Sequence, residues 1–189
     1  MRFSRGGSVV DWLVVGLGNP GREYEGTRHN VGFAVIERLA DHWEIIRSRD
    51  RYRGRLREGR AGPNGPRVAL LEPQTYMNDA GRSVGPARGA YRLPLERVLV
   101  VHDEIDLPFG EIRSRIGGGL AGHNGLKSLR AELGGGDFGR VRIGVGRPPS
   151  SDPDVVAEYV LSRFREPQSE VDALVDRACD AVAAVVLAP

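Results

Sequence analysis

The segment GLGNPGREYEGTRHN, residues Gly16–Asn30, decides how this chain begins to fold. It leaves an apolar strand, Trp12–Val15 (WLVV), through a turn rich in glycine and proline. It delivers His29 to the start of the first amphipathic helix. Thr27 is the expected N-cap of that helix, which spans about Arg28 to His42. Val31, Val35 and Leu39 recur at helical spacing, with Ile36, Ala40 and Trp43 alongside, so this stripe faces a core.

Outward from there, strands and helices alternate. Tyr52–Glu58 reads as a strand with a charged solvent face: Arg51, Arg53, Arg55 and Arg57 point one way, Tyr52, Gly54 and Leu56 the other. Gly62–Pro66 is a turn and Arg67–Leu71 the next strand. Asn78–Tyr91 reads as a helix, weakened by Gly81, Gly85, Pro86 and Gly89. Val98–Val101 is apolar throughout, the mark of a strand buried on both faces. Then come a strand at Glu111–Ile116, a glycine-rich loop at Gly117–Gly125 (GGGLAGHNG) feeding a helix to Leu133, and a strand at Val141–Val145. A short helix at Val155–Phe164 precedes a last helix, capped by Ser169, with an apolar stripe from Val171 to Val185. The expected architecture is α/β: a single domain whose central mixed β-sheet is flanked by helices. Residues 1–10 are expected to form a flexible tail and 11–189 one catalytic domain.

The 189 residues suit one domain, and 40% apolar content suffices for a core. No run of roughly 18 apolar residues marks a membrane span, and residues 1–10 lack a signal-peptide core. The expected location is cytoplasmic. Cys179 is the only cysteine. It excludes an internal disulfide and sits on the apolar side of a helix, as a buried structural thiol does. Net charge is +2 but uneven, with arginines crowded between Arg47 and Arg60 and acids after Asp152. Such asymmetry is compatible with a nucleic-acid partner, although charge alone favours a solvated face.

Gly16, Gly18 and Gly21 match the spacing of a dinucleotide fingerprint directly after a strand. That fingerprint needs the helix to open within the glycine turn, where its N–H groups hold pyrophosphate. Here the helix waits until about Arg28, so the glycines read as turn formers that project Asn19 from a strand end. No cofactor is expected.

Three apolar strands end in polar residues of catalytic type. Trp12–Val15 leads to Asn19, Arg67–Leu71 to Asn78, and Val98–Val101 to His102 and Asp103. Ligands gather beyond the carboxyl ends of strands in α/β sheets, so these side chains share an expected cleft with His29. Asn124, in the glycine-rich loop, is the fourth contributor. His29 suits a general base with a pKa near the ordinary value of about 6.5, and Asp103 is its best orienting acid. No serine or cysteine occupies a nucleophile position, which leaves activated water. Asparagine amides suit a developing oxyanion or substrate amides. The combination reads as hydrolysis of an activated acyl bond. His102, Asp103, Glu104, Asp106 and His123 are alternative metal ligands, but neighbours on one strand diverge and no paired-ligand spacing occurs, so no metal is expected.

The blocks VVGLGNPGREYEGTRHNVGF, LLEPQTYMNDAGRSV, VVHDEIDLPFGEIRSRIGGGLAGHNGLKSL and RVRIGVGRP together resemble bacterial peptidyl-tRNA hydrolase over about residues 12 to 165. The resemblance implies a monomeric α/β enzyme that cleaves the ester joining a peptide to the 3′ ribose of tRNA. It implies that His29 is the base, Asp103 its support, and Asn19 the residue that checks the acylated substrate. It further implies that Asn78 and Asn124 bind substrate, that Tyr24 and Tyr76 flank the acceptor end, and that Arg115 and Arg142 grip a tRNA phosphate. Leu120 departs from the family, which often carries a polar residue there. Two rivals stand beside this reading: an RNA-binding module without catalysis, and a small-molecule hydrolase with no RNA partner.

Overall fold

The apolar run beginning at Val98 forms the middle of the sheet. Strand β5 (Val98–Glu104) is buried along its whole length, because parallel neighbours flank it and helices cover both its faces. The computed structural model describes residues 9–189. β1 (Trp12–Gly16) lies parallel between β5 and β4 (Arg67–Pro73). β5 pairs in parallel with β7 (Gly139–Gly144). The antiparallel members are β2 (Ser48–Arg51), β3 (Gly54–Arg60) and β6 (Ile112–Ile116). The mixed seven-stranded sheet has the order β2-β3-β4-β1-β5-β7-β6.

Strand alternation splits the core in two. Val14, Leu99, Val101 and Val141 pack against α1 (Val31–His42) and α5 (Gln168–Val186). Leu13, Val15, Val98 and Val100 pack against α2 (Gly81–Tyr91) and α3 (Asn124–Leu133). The short α4 (Pro153–Val160) starts at Asp152, whose side chain accepts from the Asp154 N–H. Cys179 is buried in the first core, where burial pushes its thiol up to about 12. No helix of the described residues is long and apolar enough to cross a membrane.

One contact positions the chemistry. A Cβ at Gly32 would lie 2.5 Å from the Val101 carbonyl oxygen and 2.6 Å from the Leu17 nitrogen. Only glycine lets the first turn of α1 rest on the ends of β1 and β5. The residues just before that turn are thereby held above the end of β5.

Several local expectations are corrected. Thr27 does not cap the helix; its hydroxyl donates to the Tyr24 carbonyl at 2.8 Å, and a 3₁₀ turn, Arg28–Asn30, precedes α1. Ser169 lies inside α5, which opens after Pro167. The strand expected through Tyr52 breaks there. Tyr52 and Arg53 have φ of 54° and 51° and form the two-residue turn joining β2 to β3. Such turns ordinarily announce themselves as Asn-Gly. Tyr-Arg carries no such signal, and the apolar/polar alternation continues through the tip. Most of the expected tail lies outside the described residues, and Val10, the last residue assigned to it, is buried in the second core.

Candidate active site

The strand order β4-β1-β5 puts the carboxyl ends of three parallel strands side by side. Asp103 stands near the end of β5, 2% exposed. The 3₁₀ turn before α1 carries His29 over it, and His29 Nδ1 lies 2.8 Å from Asp103 Oδ2. A carboxylate only accepts, so Nδ1 carries the proton and Nε2 keeps its lone pair.

Asp103 has a second partner. His123 Nε2 lies 2.9 Å from Asp103 Oδ1. His123 caps α3: its Nδ1 accepts from the Gly125 N–H at 3.1 Å and the Leu126 N–H at 3.3 Å. Two donors facing Nδ1 fix the tautomer, so Nε2–H donates to Asp103. The sequence alone quoted His123 only as part of a glycine-rich loop and as a possible metal ligand. Its available signal was its place directly before a helix.

Burial disfavours the charged form of His29, but the charge and hydrogen bond of Asp103 outweigh it. The His29 pKa is raised above 6.5, which corrects the expectation of an ordinary value. Burial would push the Asp103 carboxyl up, yet His29 and His123 hold it well below the usual carboxylate range. His102, behind them, is pushed down to about 3 by burial and by His123. It is therefore neutral, and its Nδ1–H donates to the Asp103 carbonyl at 2.7 Å.

Ligand atoms of His29, Asp103 and His123 lie within 4.8 Å of one another, the spacing of a metal set. The hydrogen bonds argue for a different use. A metal on His123 would need the Nε2 lone pair, and the proton would then sit on Nδ1 against two backbone N–H groups.

Asn19 is 7% exposed and aimed by its neighbours. The Asn30 amide accepts from the Asn19 N–H at 2.9 Å and donates to the Asn19 carbonyl at 2.9 Å. Asn19 Oδ1 accepts from the Met77 N–H at 2.7 Å, so Nδ2 is the atom left to donate to a ligand. Asn30 was missed, because nothing local separates it from an ordinary helix-start asparagine. A groove of about 380 Å³ runs past Asn19 and Asn30 toward Arg55, Glu72 and Gln74.

Asn78 and Asn124 are both exposed and flank one seam. Met77 and Gly125, their neighbours, are in contact: a Cβ on Gly125 would lie 2.6 Å from Met77 Sδ. Tyr24 is half-buried in a 3₁₀ turn, and Tyr76 is 61% exposed beside Met77. Neither hydroxyl hydrogen-bonds among the described residues. Arg115 and Arg142 sit apart from the dyad on one face of the β6–β7 pair, together with Arg113 and Arg140. Arg142 Nε donates to Glu104 Oε2 at 3.2 Å, whereas Arg115 is exposed. Leu120 packs against the second core.

A protein-family model described as peptidyl-tRNA hydrolase matches residues 13–188. The chain belongs to the peptidyl-tRNA hydrolase family. Among its relatives, the peptidyl-tRNA hydrolase of Geobacillus kaustophilus is 48% identical over 178 residues, covering 94% of each chain. That of Streptomyces coelicolor is 47% identical over 184 residues, covering 93% of this chain and 89% of the relative. The crystal structure of peptidyl-tRNA hydrolase from Acinetobacter baumannii superposes with a TM-score of 0.81 at 40% identity, over 96% of this chain and 91% of that one. The family fold therefore accounts for the mixed sheet, and the hydrogen-bonded dyad lies within the matched residues.

Proposed function

We propose that this member of the family hydrolyses peptidyl-tRNA with water activated by His29. The observation that carries the reading is the His29–Asp103 pair: a protonated Nδ1 held by a buried carboxylate leaves the Nε2 lone pair free to act as a base. Nε2 takes a proton from water as its oxygen attacks the ester carbonyl. Asp103 stabilises the imidazolium without taking the proton. Asn19 Nδ2, Asn78 and Asn124 offer amide N–H groups to the carbonyl as it becomes an oxyanion, and to peptide groups beyond it. When the C–O bond breaks, His29 returns the proton to the departing 3′ oxygen, and the acid and a tRNA with a free 3′ hydroxyl are released.

The rest of the reading concerns the tRNA. Tyr24 and Tyr76 offer aromatic faces to the acceptor end. Arg115 and Arg142 contact a phosphate, which positions the substrate without reading sequence. Residues 11–189 act as one catalytic domain, a monomer in the cytoplasm, without a resident metal or cofactor.

The test is hydrolysis of an N-acetyl-aminoacyl-tRNA by wild type and His29→Ala. The variant is expected to lose about 10²–10⁴-fold in turnover while tRNA binding is kept. Equal turnover by both proteins would remove His29 from the reaction. No turnover by either, with tight tRNA binding, would favour a binding module instead.

A further inference from the structure

Arg140, near the start of β7, is 1% exposed. Among the described residues no carboxylate pairs with it. Its fork is spent on backbone: Nη1 donates to the Gly119 carbonyl at 2.8 Å and Nη2 to the Gly136 carbonyl at 3.0 Å. The Phe138 ring lies 4.8 Å from the guanidinium carbon. Nε is buried without a partner. Like charges surround it, since Arg115 on β6 pairs directly opposite and Arg142 follows on the same face. Of the carboxylates acting on it, Glu104 on β5 is already bonded to Arg142, and Asp137 stands on the preceding loop. Burial, then Arg115 and Arg142, lower the Arg140 pKa. A cation in such a place costs folding free energy, and what it gains there are its bonds to two backbone carbonyls.

The two carbonyls identify the task of Arg140. Gly119 lies in the loop before α3 and Gly136 in the loop after it, so one side chain ties both ends of the helix to β7. The leading loop needs such a tie. Gly117, Gly118, Ala121 and Gly122 all have positive φ, so the segment has no regular ladder of its own. Gly117 is bonded to the Phe138 carbonyl at 3.0 Å, and the His123 N–H bonds back to the Leu120 carbonyl at 2.8 Å. Between them, the Arg140 bond to Gly119 is the only hydrogen bond that residues 118–122 make to the sheet among the described residues. Four residues further along the loop is His123, which holds Asp103.

We propose that Arg140 is a positioning residue for the hydrolytic step: by pinning Gly119 and Gly136 it sets the height of the glycine-rich loop, keeps His123 on Asp103, and so tunes His29. It contacts neither His29 nor Asp103, and its burial keeps it from the tRNA phosphates that the exposed Arg115 can reach. The proposal rests on the hydrolase reading.

The sign of its effect follows from the groups facing His29. Asp103 lies at Nδ1, His123 lies 4.9 Å away ring to ring, and neutral His102 lies behind His123. Arg28 turns its guanidinium away, to Tyr159 and Ser162. His123 offsets part of the Asp103 charge. If the loop lifts and His123 leaves, Asp103 acts more fully on His29, and the His29 pKa rises further.

The experiment compares Arg140→Met and Arg140→Lys with wild type by thermal melting, by steady-state hydrolysis of N-acetyl-aminoacyl-tRNA across pH, and by NMR titration of His29. Expected for Arg140→Met are a melting temperature at or above wild type, a loss in kcat of about 10–100-fold with KM within about threefold, and a His29 titration raised by about half a unit or more. Arg140→Lys, which keeps the charge but not the fork, is expected to show the same changes in smaller degree, and it decides the question if Arg140→Met does not fold. Unchanged kcat overturns the proposal. So does a raised KM with kcat retained, which would make Arg140 a tRNA contact. Loss of activity and stability together, with His29 titrating as in wild type, overturns it as well, leaving a structural residue only. Failure of the hydrolase reading would appear separately, as wild type without turnover, and the His29 titration would still decide the role of Arg140.

Discussion

Replacing Asp103 with asparagine changes one heavy atom and is expected to remove the base. Asp103 accepts from His29 at 2.8 Å and from His123 at 2.9 Å. Asparagine keeps the shape but offers one acceptor and one donor. His123 cannot adapt, because Gly125 and Leu126 hold its Nδ1 as an acceptor. The asparagine oxygen must therefore face His123, and its NH₂ group must face His29. His29 then accepts at Nδ1 and carries its proton on Nε2, the atom that should receive the proton from water. A wrong tautomer of this kind costs on the order of 10³–10⁴ in kcat. The unopposed burial of the ring would also drop the His29 pKa below 6.5. Single-turnover hydrolysis of N-acetyl-aminoacyl-tRNA measures the first effect, and ¹⁵N NMR of His29 reads the tautomer directly. An Asp103→Asn protein within about tenfold of wild type, or a His29 still protonated at Nδ1, would refute the reasoning.

Four further outcomes follow from the structure. The His29 pKa is raised, so kcat/KM should fall on the acid side with a midpoint above 6.5; a midpoint at or below that value would mean that burial wins over Asp103. The same pair stabilises the fold: the His29 contribution is complete below 6.5 and lost as pH rises through its folded pKa, whereas the Asp103 contribution holds above 3.8 and is lost on acidification, so thermal melts should separate wild type from Asp103→Asn more at pH ~5.5 than at pH ~8.5. Gly32→Ala places a methyl group 2.5 Å from the Val101 carbonyl oxygen and should cost about 1–3 kcal/mol, a fall of about 2–12 °C in melting temperature, along with reduced kcat as His29 shifts; an unchanged melt would show that α1 can yield. Arg115→Ala should weaken binding alike for different tRNAs and reduce the slope of log Kd against log salt by about 0.7–0.9, and an unchanged slope would remove Arg115 from the phosphate contact.

Helical and strand periodicity had already marked the elements that carry the chemistry. Val98–Val101 could only be a strand covered on both sides, and the turn Gly16–Gly21 could not serve a dinucleotide because its helix starts too late. These are local facts, set by side-chain spacing and by where a helix can begin. Local spacing failed at Tyr52–Arg53, where a turn without its usual residues hid inside an unbroken alternation.

The sequence by itself determined an α/β chain whose apolar strands end in Asn19, Asn78 and Asp103, with His29 at a helix start. Only the tertiary structure decided which of these meet. Gly32 lets α1 settle on β1 and β5, and the His29–Asp103 bond that results joins residues 74 positions apart. His123 reaches the same carboxylate from the far side of the sheet order, and Asn30 fixes Asn19. The His29 pKa was likewise beyond local reading, because it is the outcome of a contest between burial and a charge, and both are properties of the assembled fold.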